Sequence, residues 1–277
     1  MIRVELAKLF RRPRTYVITG LLCGLPLIVA IFLATTRIPP PPGQGGAFLS
    51  AVLSNGALYP AAAMALVLPV FLPVSVAVLA GDAVAGEASA GTLRYLLIRP
   101  VSRTRLLIAK LLSLVTFVLF AIGAVLVTAY LTGTLLFGQT TTAAGVALPA
   151  DVTSLSGVTI TPFGLLLRLL GTVAYIVVSM LSVAAIALFL STVTDSALGA
   201  AMGALAVLVT SQVLVTLDAA AAIRPYLPTR YWLAWIDFFR EPVLWRDIER
   251  GAGIQLVYLV VLLGAAWANF LTKDVAN

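Results

Sequence analysis

Residues 164–190 read GLLLRLLGTVAYIVVSMLSVAAIALFL and carry one charge, Arg168. A hydrocarbon core roughly 30 Å thick needs about 20 apolar helical residues to cross it, and this run exceeds that. Five more stretches qualify: 16–36, 58–80, 106–131, 197–217 and 253–271. The whole chain agrees with them. Of 277 residues, 61% are hydrophobic and 10% charged, with a mean hydropathy of +1.08. Soluble domains carry about 25% charged residues, so too little polar surface exists here to coat one. The expectation is an all-α polytopic membrane protein with six transmembrane helices.

Absences narrow the chemistry. No His occurs, which excludes His general-base catalysis and His metal ligation. Cys23 is the single cysteine, so no intrachain disulfide can form. No G-x-x-x-x-G-K-[ST] string is present. The pI near 9.9 is expected to reflect basic flanks rather than nucleic-acid binding. The spans hold almost no charge, which disfavours ion coupling through a mid-membrane acid or base. Arg11, Arg12 and Arg14 precede the first span as they would in a signal peptide. The apolar stretch Val17–Ala34 is too long for a usual signal core, and a retained span is expected.

Six spans place both termini on one side. That side carries 11 basic residues and five acids, against seven basic residues and six acids opposite. The positive-inside rule makes the richer side cytoplasmic, with the plasma (inner) membrane as the expected location.

Among the external segments, Pro39–Pro42 and the glycines after it form a stub and hinge, and 138–163 is a Thr/Ser/Gly-rich loop. Residues 219–252 interleave Trp232, Trp235 and Trp245 with charges, as short helices in the outer interface would. Within the spans, Pro69 and Pro73 allow kinks in the second. Gly199-x-x-x-Gly203 allows close approach in the fifth.

Two cytoplasmic pieces stand apart. In residues 1–14, Ile2, Leu6, Leu9 and Phe10 share one helical face while Arg3, Glu5, Lys8, Arg11 and Arg12 take the rest. This predicts an interfacial helix on the inner leaflet, ended at Pro13. Residues 81–105 form the second, a connector far longer than a turn needs. It places Leu93, Tyr95, Leu96, Leu97 and Ile98 outside any span, stops at Pro100, and restarts with Ser102 as N-cap and Val101 stapled to Leu106. Such apolar residues require a cover, either the membrane surface or a partner protein.

The string Gly86-Glu87-x-x-x-Gly91-Thr92-Leu93-x-x-Leu96-Leu97-x-x-Pro100-Val101-Ser102-Arg103, running on to Lys110, resembles the hallmark of type-2 permeases (transmembrane subunits) of ATP-binding-cassette (ABC) transporters. The order of elements is similar across the chain, so residues 1–277 would form one such transmembrane domain. The resemblance implies a cytoplasmic coupling helix seated in a groove of an ABC ATPase subunit, centred on Glu87, Gly91, Thr92, Leu93 and Leu96. It also implies two ATPase copies and a second permease copy, with a homodimer favoured and a heterodimer possible. No cofactor is then expected in this chain, ATP and Mg residing in the partner subunit. The chain would not itself be an enzyme, and its cargo would be hydrophobic or amphiphilic and exported. A membrane-embedded enzyme would need convergent polar groups, which only residues 230–250 could supply. A secondary carrier would need mid-membrane charges or a repeat.

Overall fold

Pro13 opens a helix as well as closing one. In the computed structural model α1 covers Ile2–Arg11 and α2 covers Pro13–Thr36, with the break at Arg12 between them. Proline's missing N–H costs nothing at a first helical position. The described residues are 2–36, 52, 56–89, 91, 103–137, 140–143, 146–149 and 152–272. Further helices are α3 (Tyr59–Val67), α4 (Phe71–Ser89), α5 (Arg103–Phe137), α6 (Pro162–Val193), α7 (Ala197–Thr216) and α8 (Trp245–Thr272). Among the described residues six helices, α2 and α4 to α8, are long and apolar enough to cross a membrane. The protein is an all-α, multi-pass membrane protein, as its hydropathy predicts.

Local chemistry sets two of the helix starts. Thr161 caps α6, its Oγ1 accepting from the Gly164 N–H at 3.1 Å, with Pro162 at the first helical position. Ser196 caps α7 in the same way, accepting from the Gly199 N–H at 3.0 Å.

The second predicted span, 58–80, starts as expected, kinks at one of its prolines as expected, and overruns its predicted end. It breaks at residues 68–70, around Pro69, and the helix then continues to Ser89. Before the break, α3 packs against α2 and α5; after it, α4 packs against α6 and α7. The break moves the chain from one half of the bundle to the other. The predicted 81–105 loop is shorter as a result, because residues 81–89 and 103–105 are helical.

α4 and α6 form the centre, with 61% of their most apolar windows buried against 17% for α8. At Gly81 the α4 backbone approaches α7 so closely that a Cβ would meet the Ala201 nitrogen at 2.8 Å. Gly203 of the predicted Gly-x-x-x-Gly pair faces Leu190 of α6 instead.

α1, the end of α4, the start of α5 and the end of α8 meet at one end of the bundle, called basal below. Arg103 donates to the Phe270 and Leu271 carbonyls at 3.0 and 2.9 Å, satisfying orphan acceptors at the C-terminus of α8. Trp267 Nε1 donates to Thr104 Oγ1 at 3.0 Å. A separate apolar knot of Val84, Leu106, Leu107, Leu188 and Phe270 sits beneath these contacts.

The opposite end differs from the sequence reading. Residues 140–143 pair antiparallel with 146–149, and 152–153 with 159–160, giving two small hairpins in a region read as plain loop. The segment between α7 and α8 contains 3-10 turns at Asp218–Ala220, Arg224–Tyr226 and Ala234–Phe239. It is not merely laid on an interface. Tyr175 donates to the Tyr231 carbonyl at 2.6 Å, Gln255 Nε2 to the Pro228 carbonyl, and the Ser211 and Thr229 hydroxyls bond at 2.8 Å. Side chains of the spans thus satisfy backbone that an apolar surround would leave unpaired. Trp232 and Trp235 are 6% and 0% exposed, so protein covers them and they pack the core rather than anchor to headgroups. Trp245, the first residue of α8, is exposed. The predicted 219–252 segment ends at residue 244, since the remainder belongs to α8.

Candidate functional site

Seven charged residues from α1, α2, α4, α5 and the break at Arg12 converge at the basal end: Glu5, Lys8, Arg12, Arg14, Asp82, Glu87 and Lys110. Lys110, two turns into α5, is 2% exposed and reaches the Glu87 carboxylate at 2.6 Å. Lys8 of α1 donates to the other Glu87 oxygen at 2.9 Å and to Glu5 at 3.2 Å. Glu5 also lies 3.8 Å from Lys110. Two carboxylates and two ammonium groups therefore balance at the meeting of three helices. A cavity of about 50 Å³ is lined by these groups together with Arg12, Arg14 and Asp82.

Burying two charges costs nearly what their attraction returns, so such a set adds modest net stability. Stranding one member costs several kcal/mol. α1, α4 and α5 thus cannot separate one at a time without exposing that cost. Burial pulls the Lys8 pKa down, but the Glu87 and Glu5 carboxylates beside it reverse this and leave it above the ordinary lysine value. A raised folded-state pKa stabilises fully below the unfolded value and fails only as pH climbs through the folded one. The Lys8 pairing is complete at neutral pH.

One turn away, Arg12 donates to Asp82 at 2.8 Å, and Arg14 pairs with the same carboxylate oxygen. Gly86 makes this possible: a Cβ there would meet Asp82 Oδ1 at 2.2 Å, within the space the carboxylate occupies. The sequence singles out Gly86 as part of a motif, and its local reason is room for Asp82.

α4 is also tied to α6 in its last third. The Ser191 hydroxyl of α6 donates to the Gly81 carbonyl at 2.6 Å and accepts from the Val84 and Ala85 N–H groups at 3.1 and 2.8 Å. One hydroxyl of α6 thus ties three backbone groups within a single turn of α4. No sequence signal marks Ser191, which lies 110 residues from Gly81.

The predicted site residues divide. Glu87 is buried and paired inside its own chain, because Lys8 and Lys110 come within reach; it anchors the root of the connector instead of presenting a free carboxylate to a partner. Gly91 takes a φ of +66° just past the helix, its N–H bonding the Ala88 carbonyl at 3.0 Å. It is a left-handed helix stop, with open space where a Cβ would project. Thr92, Leu93 and Leu96 lie outside the described residues, as do Val101 and Ser102. Arg11 is exposed on α1, whereas Arg12 is held by Asp82. The α1 stripe is covered partly by protein: Phe10 meets Phe120 of α5 edge-to-face, with ring centroids 5.3 Å apart.

Fold and site define a multi-pass membrane protein whose basal connector springs from an ion-paired junction. Residues 27–276 match the family described as "Protein of unknown function (DUF2705)". The chain belongs to that family. No curated protein matches it.

Proposed function

We propose that the chain is the permease subunit of an ABC-type exporter, with residues 90–102 docking on a separate ATP-hydrolysing subunit. One observation carries this reading: both ends of a short connector bearing the Gly91-Thr92-Leu93-x-x-Leu96 string are fastened to the bundle. On one side Glu87 is tied to α1 and α5 and Ser191 to α4. On the other, Arg103 grips the end of α8. A load applied between them reaches α4, then α6 and α7, which it packs against.

In this reading the basal end faces the cytoplasm of a plasma-membrane protein, consistent with its excess of Lys and Arg. The chain supplies no hydrolytic group and works as one of two permease copies with two ATPase subunits. The exposed apolar faces of α2, α7 and α8 suit a hydrophobic or amphiphilic cargo.

Co-expression of the full chain with a candidate ATP-binding subunit tests this. Leu93→Asp should abolish co-purification of that subunit while membrane insertion and melting temperature stay unchanged. Retention of the ATPase at wild-type stoichiometry overturns the docking role.

A further inference from the structure

The break at residues 68–70 has a geometric consequence: α3 stays beside α2, but α4 departs toward α6 and α7. Between α2 and the first half of α4 this leaves a groove of about 320 Å³. Ile18, Leu21 and Leu22 line one wall, and Phe71, Val74 and Val78 the other; the Ser75 hydroxyl there is spent on the Phe71 carbonyl. The volume falls in the range of ligand pockets, and the lining is apolar. Its rim is open, with Leu21 66% and Val70 57% exposed.

The basal end of this groove is charged. One turn beyond Val78 stands Asp82, and one turn before Ile18 stands Arg14, paired with it; Arg12 joins the same carboxylate. Two guanidinium groups against one carboxylate leave one positive charge in excess. Both arginine side chains remain more than a third exposed, so their outer N–H groups can take a further acceptor.

We propose that this groove binds an anionic glycerophospholipid, with an acyl chain between α2 and α4 and the headgroup phosphate on Arg12 and Arg14. A zwitterionic lipid fits less well, because its ammonium group would meet the same arginines. The inference is independent of the transporter reading, and its test needs no ATPase.

Native mass spectrometry of the full chain, equilibrated in detergent with phosphatidylglycerol or phosphatidylcholine, reads retention directly. Phosphatidylglycerol should be retained at least tenfold over phosphatidylcholine. Val74→Trp, which fills the groove without touching the arginines, should remove that retention, and Arg14→Gln should erase the headgroup preference. Equal retention of the two lipids, or phosphatidylglycerol held undiminished by Val74→Trp, overturns the proposal. A disulfide formed between Leu21→Cys and Val70→Cys on two copies, with lipid displaced, would also overturn it by assigning the groove to a second copy of this chain.

Discussion

At the scale of single residues, Lys110 is the side chain whose loss should cost most. It is 2% exposed and sits on Glu87, with Glu5 close by. Lys110→Met would leave two carboxylates sharing Lys8 alone. A loss of about 3–5 kcal/mol is expected, the usual penalty for stranding a buried charge. Glu87→Gln added to Lys110→Met should recover part of it, because the pair is coupled. Chemical unfolding of the four members of that cycle in detergent checks this; additive losses would contradict the coupling. Glu87 also marks the limit of what the sequence discloses. Its place in a motif is legible, but its pairing with cations of its own chain is not, because Lys8 lies 79 residues away and Lys110 belongs to the next span. Gly91 is legible only as a motif residue; its φ of +66° shows a left-handed helix stop with open space where a Cβ would project.

At the scale of elements, α4 is the part that departs most from a simple span. Hydropathy locates its apolar half and the prolines locate its break. The polar residues from Gly81 onward read as loop, because nothing local reveals that Ser191, Arg12, Arg14 and Lys110 will satisfy them. The 217–244 segment misleads for the same reason. Interleaved aromatics and charges suit an interface, yet Tyr175, Ser211 and Gln255 supply partners from the spans. Composition therefore fixes which stretches cross a membrane, while pairing between distant polar residues decides what the remaining stretches do. Ser191 offers a direct check on α4. Ser191→Ala removes the hydroxyl that ties the Gly81–Ala85 turn to α6, which releases the end of α4 from that tie. Spin labels at Ser89 and Leu271 should then show a changed mean distance by double electron–electron resonance. An unchanged distance would mean that this hydroxyl does not set the direction of the α4 end.

At the scale of the whole molecule, six spans are organised around α4 and α6, with a dense basal end. Ion pairs, an apolar knot and a capped helix end all gather there. In the proposed reading, these contacts are what would let the connector between α4 and α5 transmit a load. A helical membrane protein with an idle connector could use a few polar residues. This one roots residues 90–102 at both ends and sets Leu93 and Leu96 between the roots, and a partner that pulls on them would turn local motion into movement of the central helices. The most direct measurement is photocrosslinking in intact cell membranes from a benzophenone amino acid at Leu93 in the otherwise unaltered chain. Adducts to a soluble ATP-binding protein are expected, and adducts found solely on lipid or on this chain's own helices would contradict the docking role.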